Sequence, residues 1–164
     1  MAEMYEKTRE TEDTQKGKYL TFLLDNEAYA IEIKYVTEII GIQPITEVPE
    51  LPEYIKGIIN LRGIIIPVMD VRLRFKKQPA EYNDRTCVIV IDVEGILIGL
   101  IVDSVSEVLS ISDDSIVPPP EIKKGSENRY IQAIGRVENG VRLILDCRKL
   151  LNDNETEEIS RTQN

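Results

Sequence analysis

The chain has no histidine, no tryptophan, two phenylalanines and two cysteines among its 164 residues. Without histidine the usual general base near neutral pH and the commonest metal ligand are both missing, so a Ser-His or Cys-His nucleophile is excluded. The two cysteines, Cys87 and Cys147, lie sixty positions apart in apolar surroundings. They are expected to be buried thiols rather than a disulfide or a metal pair, and reduced thiols suit a cytosol. No apolar segment of the kind that opens a secretory signal follows Met1, and the longest apolar run, around Ile96 to Val102, is too short and interrupted to span a bilayer. The nine glycines are scattered, and none of their spacings makes a phosphate-cradling motif. Cations are in the minority, 20 against 29 acidic residues, and the net charge of −9 opposes nonspecific attraction to phosphate backbones.

Two readings survive these absences only in part. The run Arg72-Leu73-Arg74-Phe75-Lys76-Lys77 is a basic patch with an aromatic, the kind of feature with which small barrels hold oligonucleotides. Asp70, Asp103 and Asp146 stand at the ends of apolar runs, where carboxylates can do acid-base work. A short carboxylate in that place also accepts hydrogen bonds from the backbone that follows, and Asp70 and Asp146 are read as caps.

What the chain does contain is Ile and Val in short runs. From Gly57 to Asp70 two such runs flank Arg62-Gly63, and Gly63 supplies the left-handed backbone that a tight hairpin turn needs. The hairpin carries a lone cation at its apex, held on a stiff scaffold that lowers the ordering cost of a contact.

The pattern occurs twice. Tyr54-Ile55 is followed sixteen positions later by Asp70 and then Arg72, and Tyr130-Ile131 is followed sixteen positions later by Asp146 and then Arg148. Val36-Thr37-Glu38-Ile39-Ile40 matches Val105-Ser106-Glu107-Val108-Leu109. The repeat predicts units of about residues 18–75 and 85–151, with the polar, Pro-containing stretch Lys76 to Asp84 running over the surface between them. Units of that size bury too little surface to stand alone, so they are expected to share a core. Lys18 to Leu24 and Ala28 to Ile33, then Cys87 to Ile91 and Ile96 to Val102, read as strands, the last two covered on both faces. Many short strands with Gly turns predict an all-β fold of small closed barrels, with short turns after Pro52 and near Val36 and Val105 and a short C-terminal helix from Cys147 to Leu151. Residues 1–17 and 152–164 are polar and charge-rich and are expected to be disordered tails.

Asn60-Leu61-Arg62-Gly63, followed by Pro67-Val68, Asp70 and Arg72, with Tyr82-Asn83-Asp84 ahead of a Val/Ile strand, resembles the CheW family of chemotaxis coupling proteins. The likeness runs from about residue 18 to 151 and includes Val102 to Leu109 and Pro118-Pro119-Pro120-Glu121. The related domain of CheA-type kinases comes with a phosphorylatable histidine and an ATP motif, and CheV-type coupling proteins carry a fused receiver; this sequence has none of these. The resemblance implies two five-stranded SH3-like barrels packed through a third apolar core. It implies a non-catalytic adaptor, without cofactor or metal, that joins the cytoplasmic tip of methyl-accepting chemotaxis receptors to the regulatory domain of a CheA-type histidine kinase. Such a protein is cytoplasmic, is recruited to membrane receptor arrays without inserting, and binds no nucleic acid. The receptor-side positions of the family fall on Gly57, Arg62 and Val108, and its kinase-side positions on Val36 and Glu38. Ile33, Val36, Ile98 and Val108 are candidates for a groove that accepts the receptor's helical tip, with core packing the competing role for Ile33 and Ile98.

Overall fold

The computed structural model describes residues 15–120 and 129–152. Most of the two expected tails, and Glu121 of the Pro-rich stretch, lie outside the described residues. At the ends that are described, Ile111 N–H donates to the Gly17 carbonyl and Asn152 N–H to the Arg148 carbonyl, so the chain is tied down at both.

Among the described residues eleven strands and two short helices follow in order: β1 (Lys18–Leu24), β2 (Glu27–Glu32), a 3-10 turn at Ile33–Tyr35, β3 (Val36–Gly41), β4 (Ile55–Leu61), β5 (Ile64–Asp70), α1 (Val71–Arg74), β6 (Cys87–Val93), β7 (Ile96–Val102), β8 (Ser104–Ser110), a 3-10 turn at Asp113–Ser115, β9 (Ile116–Val117), β10 (Ile131–Val137), β11 (Gly140–Leu145) and α2 (Cys147–Leu151). The turn expected near Val36 is the 3-10 turn at Ile33–Tyr35, which Val36 closes, whereas Val105 lies inside β8. Three hairpins close through pairs of left-handed residues, Asp25-Asn26, Arg62-Gly63 and Glu94-Gly95, the geometry that matches the twist of the flanking strands. Asn60 and Asp92 each place a side-chain oxygen on the N–H of the turn glycine, at 2.8 and 2.9 Å. Asp70 and Asp146 cap the two helices as expected, accepting from Arg72 N–H and from the N–H groups of Arg148 and Lys149.

The strands form a six-stranded sheet of order β8-β1-β2-β11-β10-β9 and a five-stranded sheet of order β3-β6-β7-β5-β4. Equivalent strands of the repeat take equivalent places, but the two units are interleaved rather than laid side by side along residues 18–75 and 85–151. Each sheet takes its first hairpin from one unit and its remaining strands from the other, through the parallel pairs β2 with β11 and β5 with β7. The reason lies in the hairpins, which are apolar on both faces. Leu20, Phe22, Leu24, Tyr29 and Ile31 meet Ile89, Ile91, Val93, Ile98 and Leu100 in a core shared by the two sheets. The alternate side chains face inward: Tyr19 and Ala30 with Ile111 and Ile144 in one barrel, Val88 and Val90 with Ile59, Ile66, Val68 and Ile101 in the other. Exchange covers both faces of each hairpin at once, and the result is two SH3-like barrels and a third core between them.

The helices lie on that shared core. Arg74 is 1% exposed, with its guanidinium 4.1 Å from the ring centre of Tyr54 and 5.0 Å from that of Tyr130, the equivalent tyrosines of the two units. It donates to the Leu150 carbonyl from Nε and Nη2, at 3.1 and 2.8 Å, so that α1 fastens α2. Both cysteines are free; Cys147 is buried as expected, whereas Cys87, at the start of β6, is half-buried.

Candidate functional site

The Arg62 turn stands at one end of the five-stranded barrel. Its residues adopt left-handed backbone, φ 51° at Arg62 and 88° at Gly63, and the Asn60 side chain braces the turn from within, so the guanidinium projects from a rigid apex. It does not stand free. Arg62 Nη2 is ion-paired with Glu38 Oε1 on β3. Since β3 and β4 are the two outer strands of the sheet, the pair bridges its edges and helps close the barrel at this end. Arg62 keeps 70% of its side chain exposed and Glu38 30%, so both remain accessible to a partner.

Below the tip, Gly57 is buried in β4. A Cβ built there would lie 2.1 Å from the Thr46 carbonyl oxygen, and φ is +147°. The close approach seats Thr46 against Ile58 through hydrogen bonds of 2.9 Å in both directions. Gly57 therefore presents no surface of its own. What it fixes is the position of the loop from Ile42 to Tyr54, which passes over β4.

Val36 opens β3, half-buried against the shared core. It pairs with Ile91, which pairs in turn with Ile98. Ile98 is 5% exposed and belongs to the core, as the packing alternative held; Ile33 is half-buried at its margin. Val108 lies on the other sheet, where it is 51% exposed on β8 opposite Leu20. The structure thus gathers Val36, Glu38, Gly57 and Arg62 on one barrel and leaves Val108 on the other. Residues expected on two different partner surfaces, Arg62 and Glu38, touch one another.

In the six-stranded barrel the residue equivalent to Arg62 is Glu138, which leaves Glu107, the counterpart of Glu38, without a cation at the tip. Glu107 instead meets Arg142 on β11 at 3.6 Å.

In the basic run after Asp70 the two arginines turn inward, while Lys76 stays exposed. Arg72 Nε and Nη2 hold both oxygens of Asp103 at 2.6 and 2.5 Å, Nη2 also meets Asp25 at 2.7 Å, and Nη1 donates to the Gln78 carbonyl at 3.1 Å. Arg74 and Phe75 are buried. A four-residue helix turning in from the strand end consumes these charges internally, and local composition gave no sign of it. Burial pushes the Asp103 carboxyl up, but the Arg72 hydrogen bonds and charge and the Asp25 N–H outweigh it, and the net direction is down. Tyr82 donates to Asp70 at 2.7 Å, which occupies the remaining oxygen of the cap. Among the described residues no group of His, Cys, Asp or Glu is arranged to hold a metal ion, and no helix is long and apolar enough to cross a membrane. The feature that sequence reasoning missed is the pairing of Arg62 with Glu38, which lie far apart along the chain and meet only when the outer strands of the sheet come round to one another.

Residues 18–155 match the family model for the CheW-like domain. Among curated proteins the chain is 36% identical over 143 residues to chemotaxis protein CheW of Klebsiella aerogenes, covering 87% of this chain and 86% of that protein. It is 34% identical to chemotaxis protein CheW of Bacillus subtilis, covering 82% and 86%. Among solved structures it superposes on the scaffolding protein TtCheW from Thermoanaerobacter tengcongensis with a TM-score of 0.78 at 36% identity, over 84% of this chain and 94% of that one.

Proposed function

Because this chain belongs to the CheW family of chemotaxis coupling proteins, we propose that it joins the cytoplasmic tip of methyl-accepting receptors to a CheA-type histidine kinase by offering two surfaces on one body, with no chemical step of its own. The adaptor works in the cytoplasm at the receptor array, and its domain spans residues 18–151. Arg62 and Val108 face the receptor, Val36 and Glu38 face the kinase, and Gly57 acts at second hand by holding the loop that passes over β4.

One observation carries the reading: the rigid hairpin apex sets Arg62 beside Glu38, both accessible, at the end of a barrel whose remaining charges near the core are satisfied internally. A partner that engages one member of the pair meets an already oriented charge, which lowers the ordering cost of the contact. Two-sided engagement of one stiff body is what transmission of a small receptor displacement to a kinase requires.

The test is titration of the purified chain with a receptor-tip fragment and, separately, with the kinase regulatory domain, with a labelled oligonucleotide as control. Saturable binding of both proteins and none of the oligonucleotide is expected. Binding of neither protein by a folded chain overturns the reading.

A further inference from the structure

The two units pair reciprocally. β1 of the first lies beside β8 of the second and β6 of the second beside β3 of the first, and the parallel pairs β2 with β11 and β7 with β5 repeat the relation. This is the kind of interface that two copies of one unit make with each other, in which a residue that touches its own equivalent stands on the two-fold axis. Counted from the capping aspartates Asp70 and Asp146, the equivalent of Arg74 is Leu150. These two meet: the Arg74 guanidinium donates to the Leu150 carbonyl and lies between Tyr54 and Tyr130, themselves equivalents. Arg74 therefore stands at the axis, and there the repeat breaks, since a buried cation faces a buried aliphatic side chain.

One guanidinium fits this place and two do not. In the pair as it stands, ring faces and a helix carbonyl offset the burial of a single charge. Two copies of the first unit would bring two guanidinium groups together between Tyr54 and its copy, where like charge and desolvation act in the same direction. Two copies of the second would bring two Leu150 side chains and no donor, so each carbonyl that Arg74 now answers would lose both hydrogen bonds. The strands discriminate less, because β1 and β6 are each seven residues long and covered on both faces.

We infer that Arg74 selects the partner of each unit: it admits a unit with an aliphatic residue at the axis and rejects a second copy of its own, so that the first unit of one chain does not pair with the first unit of another. A buried charge can be retained for the uniqueness of a pairing rather than for its strength. The cation stands in the unit translated first, which meets copies of itself before its own partner has been made. What it excludes is a second copy of this chain joined by exchange of hairpins.

The test uses the whole chain with a protease site set in the exposed connector between Gln78 and Glu81. The chain is cut once after purification, unfolded in urea and refolded, and the composition of the pairs is read by native mass spectrometry. Wild type is expected to return the mixed pair, one fragment of each kind. Arg74→Leu is expected to raise the share of identical-fragment pairs about tenfold or more. Adding Leu150→Arg moves the cation to the other side of the axis and is expected to restore the mixed pair, which a merely stabilising role for Arg74 would not do. Wild type that returns identical pairs freely overturns the inference, and so does Arg74→Leu that returns the mixed pair alone. Where Arg74→Leu does not refold, the exchanged variant decides: the mixed pair supports selection by Arg74, and failure to form it overturns that selection.

Discussion

Arg62 and Glu38 are ion-paired across the two edges of one sheet, which makes each the neighbour of whatever the other binds. Arg62→Ala removes that pair and leaves the turn to Gly63 and Asn60. Both side chains are substantially solvated, so the stability lost is at most about 1 kcal/mol. Receptor affinity is expected to fall by about 1–3 kcal/mol, as for a lost charged anchor. Glu38→Lys puts a like charge against Arg62 and is expected to lower kinase affinity most, with a smaller loss of receptor affinity through the displaced guanidinium. Chemical denaturation with separate titrations against each partner checks both variants. Undiminished receptor binding by folded Arg62→Ala protein reduces Arg62 to a solvated turn residue.

Gly57→Ala is a backbone experiment. The added methyl meets the Thr46 carbonyl in a conformation that L residues rarely adopt, so a loss of about 1–3 kcal/mol is expected. Amide exchange at Thr46 and Ile58 should accelerate more than exchange in β6 and β7. Uniform acceleration would mean that the loop is not the element displaced.

Interleaved sheets predict mutual dependence of the halves. Residues 1–80 and 81–164 are each expected to lack a cooperative melt alone, because neither contains the strands of a complete sheet. Mixing the two should restore native circular dichroism. Two independent sharp transitions would contradict the exchange.

Acid stability follows from Arg72 and Asp103. The folded carboxyl titrates below its ordinary value of 3.8, so the unfolded chain binds the proton first as pH falls. Its stabilising effect is complete above that value and is lost as pH falls from it through the lower folded value. Asp103→Asn is expected to cost about 1–3 kcal/mol near neutrality and to flatten the fall in melting temperature on acidification below the ordinary carboxylate value. An unchanged slope would assign the acid sensitivity to other carboxylates.

Much of this was legible in the sequence. Hairpins announce themselves by turn chemistry, as at Arg62-Gly63; caps by a carboxylate after an apolar run, as at Asp70 and Asp146; the double barrel by repetition. The exchange of hairpins was not legible. Local patterning marks β2 as apolar on both faces but does not settle whether β5 or β11 lies beside it, because equivalent strands of a repeat offer near-identical edges. The fate of Arg72 and Arg74 was hidden for a related reason: their partners, Asp103, Tyr130 and Leu150, are remote in sequence and are brought near by the same exchange. The close approach of Gly57 to the Thr46 carbonyl was not legible either, since it depends on how the loop from Ile42 to Tyr54 passes over β4.

The pairing of Tyr29 with Leu143 and of Ala30 with Ile144 sets a timetable for synthesis. The hairpin β1–β2 leaves the ribosome first, yet the strand that covers its edge is among the last translated. At about 5–20 residues per second the wait is on the order of ten seconds, longer than most small domains take to fold. During it a ribbon apolar on both faces is without its neighbours. Slow translation between β7 and β11 therefore prolongs the interval in which that ribbon is open to aggregation.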